Sequence, residues 1–408
     1  PITAFSALAL SPEDLPELIA RAFAVFDSER PRPVHISVPL DVLAAKVARD
    51  WTGEVRRRPA RGPAAAADIQ QAADTLRKAK RPMIIAGGGA LHAAEQLRVL
   101  STRLGAVCFS SVAGKGLLPE EAPLNAGATL CVEPGWQLIS QADVVLAVGT
   151  EMADTDYWRE RLPLNGELLR LDIDPRKFND FYPCSVALHG DARATLDALL
   201  QALPPTPAEA GAAIHAVADL RQAVQNGQGP LQQIHRSILQ RIAAELPEHG
   251  FIASDMTQLA YSGNYLYPTR ATRSWLHPTG YGTLGYGLPA GIGAKLGAPE
   301  RPGLVLVGDG GFLYTVQELA TAVEELDGPL VVLLWNNDAL GQIRDDMLDL
   351  NIEPIGVLPR NPDFAALARA FGCSVSQPAS LDELQQELRE GFARNGVTLI
   401  ELKHACAR

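Results

Sequence analysis

Two short runs carry the residues best suited to chemistry. Leu304 to Val307 is an unbroken apolar run that ends in Gly308-Asp309-Gly310-Gly311, and Leu330 to Trp335 is a second that ends in Asn336-Asn337. Between them the sequence predicts an amphipathic helix from Thr315 to about Leu326 and a turn at Asp327-Gly328. A strand–helix–strand unit makes the two strands parallel, so both carboxyl ends lie on one edge of the sheet. Asp309 and Asn337, 28 residues apart, are thereby brought side by side. Their hard oxygens meet where the N–H groups of a following helix favour a phosphate. Gly310 and Gly311 remove side chains, which lets the backbone approach an anion. Magnesium completes its octahedron from such protein oxygens, ligand phosphates and water. Gly-Asp-Gly alone reads equally as a tight turn. The two runs together, each closing a buried strand, describe a magnesium–diphosphate cradle at the edge where open α/β sheets bind ligands.

The elements that must position this pair form an α/β chain. Ser11-Pro12-Glu13-Asp14 reads as a helix start, with a capping Ser, Pro in the first turn and acids near the positive end. The apolar spacing from Leu15 to Phe26 continues that helix to about Asp27, and Pro33 to Pro39 reads as one strand. A helix and a strand bury no core alone, so residues 1–50 look like the tail of a larger domain. Arg56 to Pro63 is a linker. Helices over Ala67–Ala79 and Ala93–Leu104 then alternate with strands at Pro82–Ala86, Asp143–Val148 and Leu168–Asp172 in a domain spanning 60–203. Residues 204–224, beginning Pro-Pro-Thr-Pro, read as a second linker. Residues 225–408 form the third region, with further strands near Phe251–Ser254 and Val397–Leu402. Alternation of this kind implies doubly wound parallel sheets.

Composition narrows the classes. The chain has 408 residues, 47% hydrophobic and 20% charged, which suits two or three soluble domains. No apolar run approaches the ~20 residues that span a bilayer, so no membrane role is expected. A formal charge of −11 argues against a nucleic-acid surface. Five scattered cysteines fit neither a disulfide framework nor a CxxC metal site, and suit a reducing cytoplasm.

The spacing of Gly-Asp-Gly and Asn-Asn resembles the thiamine-diphosphate enzymes of the acetolactate synthase and pyruvate decarboxylase superfamily, along the whole chain. The resemblance implies a pyrimidine-domain remnant over 1–50, a central Rossmann-like domain over 60–203 and a diphosphate-binding domain over 225–408. It implies thiamine diphosphate and Mg²⁺ as cofactors. Asp309, the Asn337 side chain and the Ala339 carbonyl would ligate the metal. Thr257, Gln258 and Leu259 fall where the family contacts the diphosphate, as do Gly308 to Gly311 and Leu340-Gly341. Gly280 to Gly285 matches the loop that bends the cofactor. There Leu284 would be the wedge beside Thr283, and the Gly282 carbonyl would accept from the aminopyrimidine. The family's activating glutamate lies in a part of the pyrimidine domain that this chain does not contain. The 408 residues are therefore expected to be a truncated chain, inactive alone.

The resemblance also bears on substrate. Gly149-Thr150-Glu151-Met152-Ala153-Asp154-Thr155-Asp156 stands where acetolactate synthases carry an arginine-rich FAD-binding run, so FAD is not expected. Gly87-Gly88-Gly89 does not satisfy GxGxxG and reads as a structural turn. Gln342 and Ile343 match positions that face the substrate. The stretch from Asp338 to Met347, together with Gly-Thr-Glu and Asp156, looks most like the 5-guanidino-2-oxopentanoate decarboxylases of arginine catabolism. A guanidinium pairs well with a carboxylate, and Gln342, Asp346, Asp349 and Glu353 would share one helix face; single acids there read equally as a solvated face. His277 is a proton donor after CO₂ loss or a structural histidine. Two alternatives stay open: a carboligase, and a non-catalytic subunit that binds thiamine diphosphate. The implied assembly is a homodimer or homotetramer with active sites between subunits.

Overall fold

The computed structural model describes residues 2–48, 51 and 61–407. Residues 49–50, which end the expected first segment, and most of the expected linker at 56–63 lie outside the described residues.

The first segment forms a small parallel pair, β1 (Ser6–Leu8) against β2 (His35–Ser37), joined by a helix over Leu15–Ser28. β1 is too short to show as a pattern in sequence. The Asp14 carboxylate accepts from the N–H groups of Leu10 and Ser11 at the helix start. At its other end the Arg61 guanidinium donates to the carbonyls of Phe26, Asp27 and Glu29, groups that a helix terminus leaves without partners.

The middle region holds six parallel strands, β3 (Pro82–Ala86), β4 (Val107–Ser110), β5 (Asn125–Gly127), β6 (Val144–Val148), β7 (Glu167–Asp172) and β8 (Val186–His189). Their order is β5-β4-β3-β6-β7-β8. The segment expected as linker over 204–224 instead carries a helix, Gly211–Asn226. Its Val217 and Leu220 are buried against Met83, Ile85 and Val145 of this sheet, which is what orders it.

The third region repeats the architecture. Its strands are β9 (Phe251–Ser254), β10 (Trp275–Leu276), β11 (Gly303–Gly308), β12 (Leu330–Asn336), β13 (Ser374–Ser376) and β14 (Val397–Lys403). The order is β10-β9-β11-β12-β14-β13, all parallel. Leu304, Leu306, Val331 and Leu333 enter one core while Val305, Val307, Val332 and Leu334 enter the other. Side chains that alternate across a pleat and are buried on both sides need an unbroken apolar run, which is why these strands read so clearly. The connection from β9 runs outward to β10, whereas that from β11 runs the other way to β12. The crevice between β9 and β11, at their carboxyl ends, is therefore the topological switch point. The expected helix over Thr315–Leu326 starts earlier and is broken: one helix spans Asp309–Thr315 and a second Glu318–Glu325. Gly308 is extended, so Asp309 opens a helix at once.

Candidate active site

Register sets the centre of the site. β11 and β12 pair with Gly308 opposite Trp335, so Asp309 and Asn336 leave adjacent strand ends together. Asp309 is almost wholly buried. Burial pushes its carboxyl above the usual carboxylate range, opposed by a hydrogen bond from Asn361. That Asn361 amide donates to Asp309 Oδ2 at 2.7 Å, Asp338 Oδ1 at 3.1 Å and Asn336 Oδ1 at 3.2 Å. Three oxygens thus converge on one donor, a cluster of hard oxygens of the kind from which a small cation draws part of its shell. Asn361 lies 52 residues beyond Asp309 and gave no signal in the sequence. Asn337 turns the other way. Its Nδ2 donates to Gln258 Oε1 at 3.2 Å, and its Oδ1 accepts from the Ala339 N–H at 3.3 Å. Among the described residues no three His, Cys, Asp or Glu side chains gather as a metal cluster. Amide and carbonyl oxygens would supply the remaining protein ligands.

The backbone around this centre leaves room for an anion. A Cβ on Gly311 would stand 3.0 Å from Asp255 Oδ1, and Leu340 packs against Gly310. Thr257 Oγ1 lies over Gly308, and the Gln258 side chain lies against Gly341. These residues fit a diphosphate: glycines on one side, hydroxyl and amide groups on the other. The Leu259 side chain is in the core, so it could meet a ligand only through its backbone.

Asp255 was the main residue sequence reasoning passed over, although its place directly after the buried β9 was visible. It is fully buried. Its Oδ1 accepts from the N–H groups of Met256 at 2.7 Å and Gly285 at 3.2 Å, and its Oδ2 from that of Gly287 at 3.0 Å. Burial raises its carboxyl, and the three N–H groups oppose the rise. Thr315 Oγ1 donates to the Gly285 carbonyl at 3.1 Å. The loop over 280–285 is thus tied at its end to both β9 and the helix after Asp309. Gly282 and Gly285 have φ of 67° and 83°, the left-handed region that favours glycine. Leu284 is half-buried on this loop, and Thr283 is exposed.

His277 sits before the loop with Nδ1 2.8 Å from Ser254 Oγ. Burial lowers its pKa to about 4, so it is neutral at pH 7. It lines a cleft of about 380 Å³ between residues 154–160 of the middle region and Met256, Tyr261 and the loop. Gln342 and Asp346 bond to each other at 2.8 Å, and Ile343 is exposed. None of the three lines that cleft. The helix carrying them spans Gly341–Asp349, so Glu353 lies beyond it and the expected four-residue face is shorter. In the middle region Gly87 and Gly89 pack directly on the backbone of Gly149 and Thr150, and the Gly89 N–H donates to the Gly149 carbonyl. Glu151 pairs with Arg30 and Lys177.

Residues 255–402 match the family described as thiamine pyrophosphate enzyme, C-terminal TPP binding domain, and residues 69–199 its central domain. The chain is 72% identical over 408 residues to the probable 2-ketoarginine decarboxylase AruI of Pseudomonas aeruginosa, covering 100% of this chain and 73% of that protein. It is 30% identical to the acetolactate synthase isozyme 1 large subunit of Escherichia coli, covering 99% of this chain and 72% of that one. A probable acetolactate synthase large subunit of Methanocaldococcus jannaschii is 28% identical over 98% of this chain and 71% of its own length.

Proposed function

The chain belongs to the thiamine pyrophosphate enzyme family, and from that premise we propose that it removes CO₂ from 5-guanidino-2-oxopentanoate (2-ketoarginine) to leave 4-guanidinobutanal. One observation carries the substrate: the 72% identity, unbroken along this chain, to a protein named for that reaction. The reaction class is a non-oxidative decarboxylation of a 2-oxo acid, and thiamine diphosphate is the cofactor.

Once bound, thiamine diphosphate supplies the electron sink for the pair released as the bond to the carboxylate breaks. The chain's residues do the rest. Asp309, with Asn337 and the Ala339 carbonyl, would hold Mg²⁺; of that set, the Asp309 carboxylate is the oxygen that also belongs to the cluster gathered on Asn361. Thr257, Gln258, Gly310, Gly311, Leu340 and Gly341 would surround the diphosphate. Leu284 would support the bent cofactor, and the Gly282 carbonyl would accept from its amino group. His277, neutral at pH 7, would hold one ring proton beside the cofactor loop, its ring held by the 2.8 Å contact of Nδ1 with Ser254 Oγ. Gln342, Ile343 and Asp346 would border the substrate's approach.

A homodimer or homotetramer with shared active sites completes the proposal. Ile343, Leu350, Ile355 and Leu358 leave apolar side chains exposed beside the site, a surface that a partner subunit covers. All five cysteines are free, in keeping with a cytoplasmic enzyme. Among the described residues no helix is long and apolar enough to cross a membrane. The acids at 151–156 support function without FAD.

The test is a panel of 2-oxo acids given to the complete protein with thiamine diphosphate and Mg²⁺, scored by CO₂ release and product identity. Fastest turnover of the guanidino acid to the aldehyde is expected. A ligated acetolactate-type product, or a preference for pyruvate, would replace this reading with the carboligase one.

A further inference from the structure

We propose that the cleft between the two large sheets is the pocket for the substrate's guanidinium, with Asp156 as its carboxylate and Trp158 and Tyr261 as its aromatic walls. The proposal rests on the decarboxylase reading above and adds to it the residues that select the side chain.

Position comes first. The cleft, about 380 Å³, is bounded by Met256, His277 and Gly282 on one side, so a side chain in it starts beside the cofactor loop. A volume of that order accepts a small organic group. Its far wall is the segment after β6, where Asp156 points a carboxylate inward. Asp156 Oδ1 accepts from the Val112 N–H at 3.2 Å, and Oδ2 makes no hydrogen bond to a described residue. No Lys or Arg among the described residues pairs with it. Arg159, the cation in the same lining, lies instead 4.5 Å over the Trp136 ring. Burial raises the Asp156 carboxyl to about 6, the consequence of a carboxylate held in a cleft with no cation beside it.

The walls supply the rest of the chemistry. Trp158 has φ of 52°, a conformation unusual for a bulky residue, and the residue is 57% exposed and lines the cleft. Its ring meets Tyr261 edge-on at 5.8 Å. A guanidinium is planar, carries donors in a fork that fits a carboxylate, and stacks on aromatic faces. One carboxylate with a free oxygen in the same lining as two aromatic rings matches all three properties. Asp346, the competing acid, bonds to Gln342 outside this lining.

The experiment compares kcat/KM for 5-guanidino-2-oxopentanoate and for 2-oxohexanoate, whose side chain is neutral, in the complete protein with thiamine diphosphate and Mg²⁺. Asp156→Asn keeps Oδ1 for the Val112 N–H, so it removes charge without releasing the loop. It should lower the guanidino-to-neutral ratio by at least ~10-fold, with the neutral acid changed less than ~3-fold. Trp158→Leu should lower the same ratio. A ratio unchanged in Asp156→Asn, an equal fall for both acids, or a loss carried by Asp346→Asn overturns the proposal while leaving the decarboxylase reading intact. A wild-type protein without preference for the guanidino acid sinks that reading instead. If Asp156→Asn does not fold, tryptophan fluorescence of the wild type decides. Quenching by 4-guanidinobutanoate but not by pentanoate, abolished in Trp158→Phe, supports the pocket; equal response to both acids contradicts it.

Discussion

Replacing Asp255 by alanine should loosen the cofactor loop without touching any group that meets substrate. Its carboxylate is the acceptor for three backbone N–H groups, those of Met256, Gly285 and Gly287, in a fully buried setting. A buried donor left without an acceptor costs ~1–3 kcal/mol, so three give an upper figure of several kcal/mol. Two effects reduce it. A water can enter the polar hole left by the carboxylate and satisfy some donors. The carboxyl is also raised by burial, so removing the charge relieves a desolvation cost. About 2–3 kcal/mol remains, which weakens any ligand that needs the ordered loop by up to ~30- to 150-fold. Asp255→Asn keeps an oxygen for Met256 and Gly285 but turns an N–H₂ group toward the Gly287 N–H, and should fall between wild type and alanine. The assay is a thiamine diphosphate titration at saturating Mg²⁺, beside a thermal melt of the protein without cofactor. Asp255→Ala binding within ~3-fold of wild type with an unchanged melt would refute the account of this loop.

Other changes test other corners. Asp309→Ala and Asn337→Ala should each abolish Mg²⁺-dependent binding of thiamine diphosphate, measured by calorimetry, because each removes an oxygen from the metal; normal affinity in either would mean the site is misplaced. Gly311→Ala places a Cβ 3.0 Å from Asp255 Oδ1 and should destabilise the fold by ~1–3 kcal/mol in denaturant titrations, whereas Gly293→Ala, with nothing within 4 Å, should not. His277 has its pKa lowered from 6.5 to about 4, so the unfolded chain binds its proton first on acidification. Stability from this group is full above about pH 6.5 and is lost as pH falls toward 4. His277→Gln should flatten that part of the stability–pH profile, and an unchanged slope would contradict the burial effect.

The sequence read best where burial leaves no choice. β11 and β12 are buried on both faces, so each is an unbroken apolar run, and Gly-Asp-Gly and Asn-Asn could be placed at their ends without coordinates. Asp309 was legible for the same reason, whereas the loop at 280–285 was expected only from the family resemblance. What stayed hidden depends on contacts distant in sequence. Asn361 reaches Asp309 across 52 residues from a stretch with no periodicity. Asp255 looks like any strand terminus until the loop folds back over it. The helix over Gly211–Asn226 follows a proline-rich stretch and buries only Val217 and Leu220, so its apolar signal was weak and the segment read as linker. The stretch from Gln342 to Glu353 has helical spacing, but its helix ends at Asp349, and only packing sets that end. Trp158 and Tyr261 come together across two domains, which local pattern does not report.

Substrate preference in the complete protein tests the central claim most directly. With thiamine diphosphate and Mg²⁺ saturating, kcat/KM for CO₂ release from 5-guanidino-2-oxopentanoate is compared with that from its neutral carbamoyl isostere. The account predicts a preference of at least ~10-fold for the guanidinium, equivalent to ~1.4 kcal/mol and modest for a charge-assisted pair. Equal rates, or faster turnover of pyruvate or an aromatic 2-oxo acid, would contradict it.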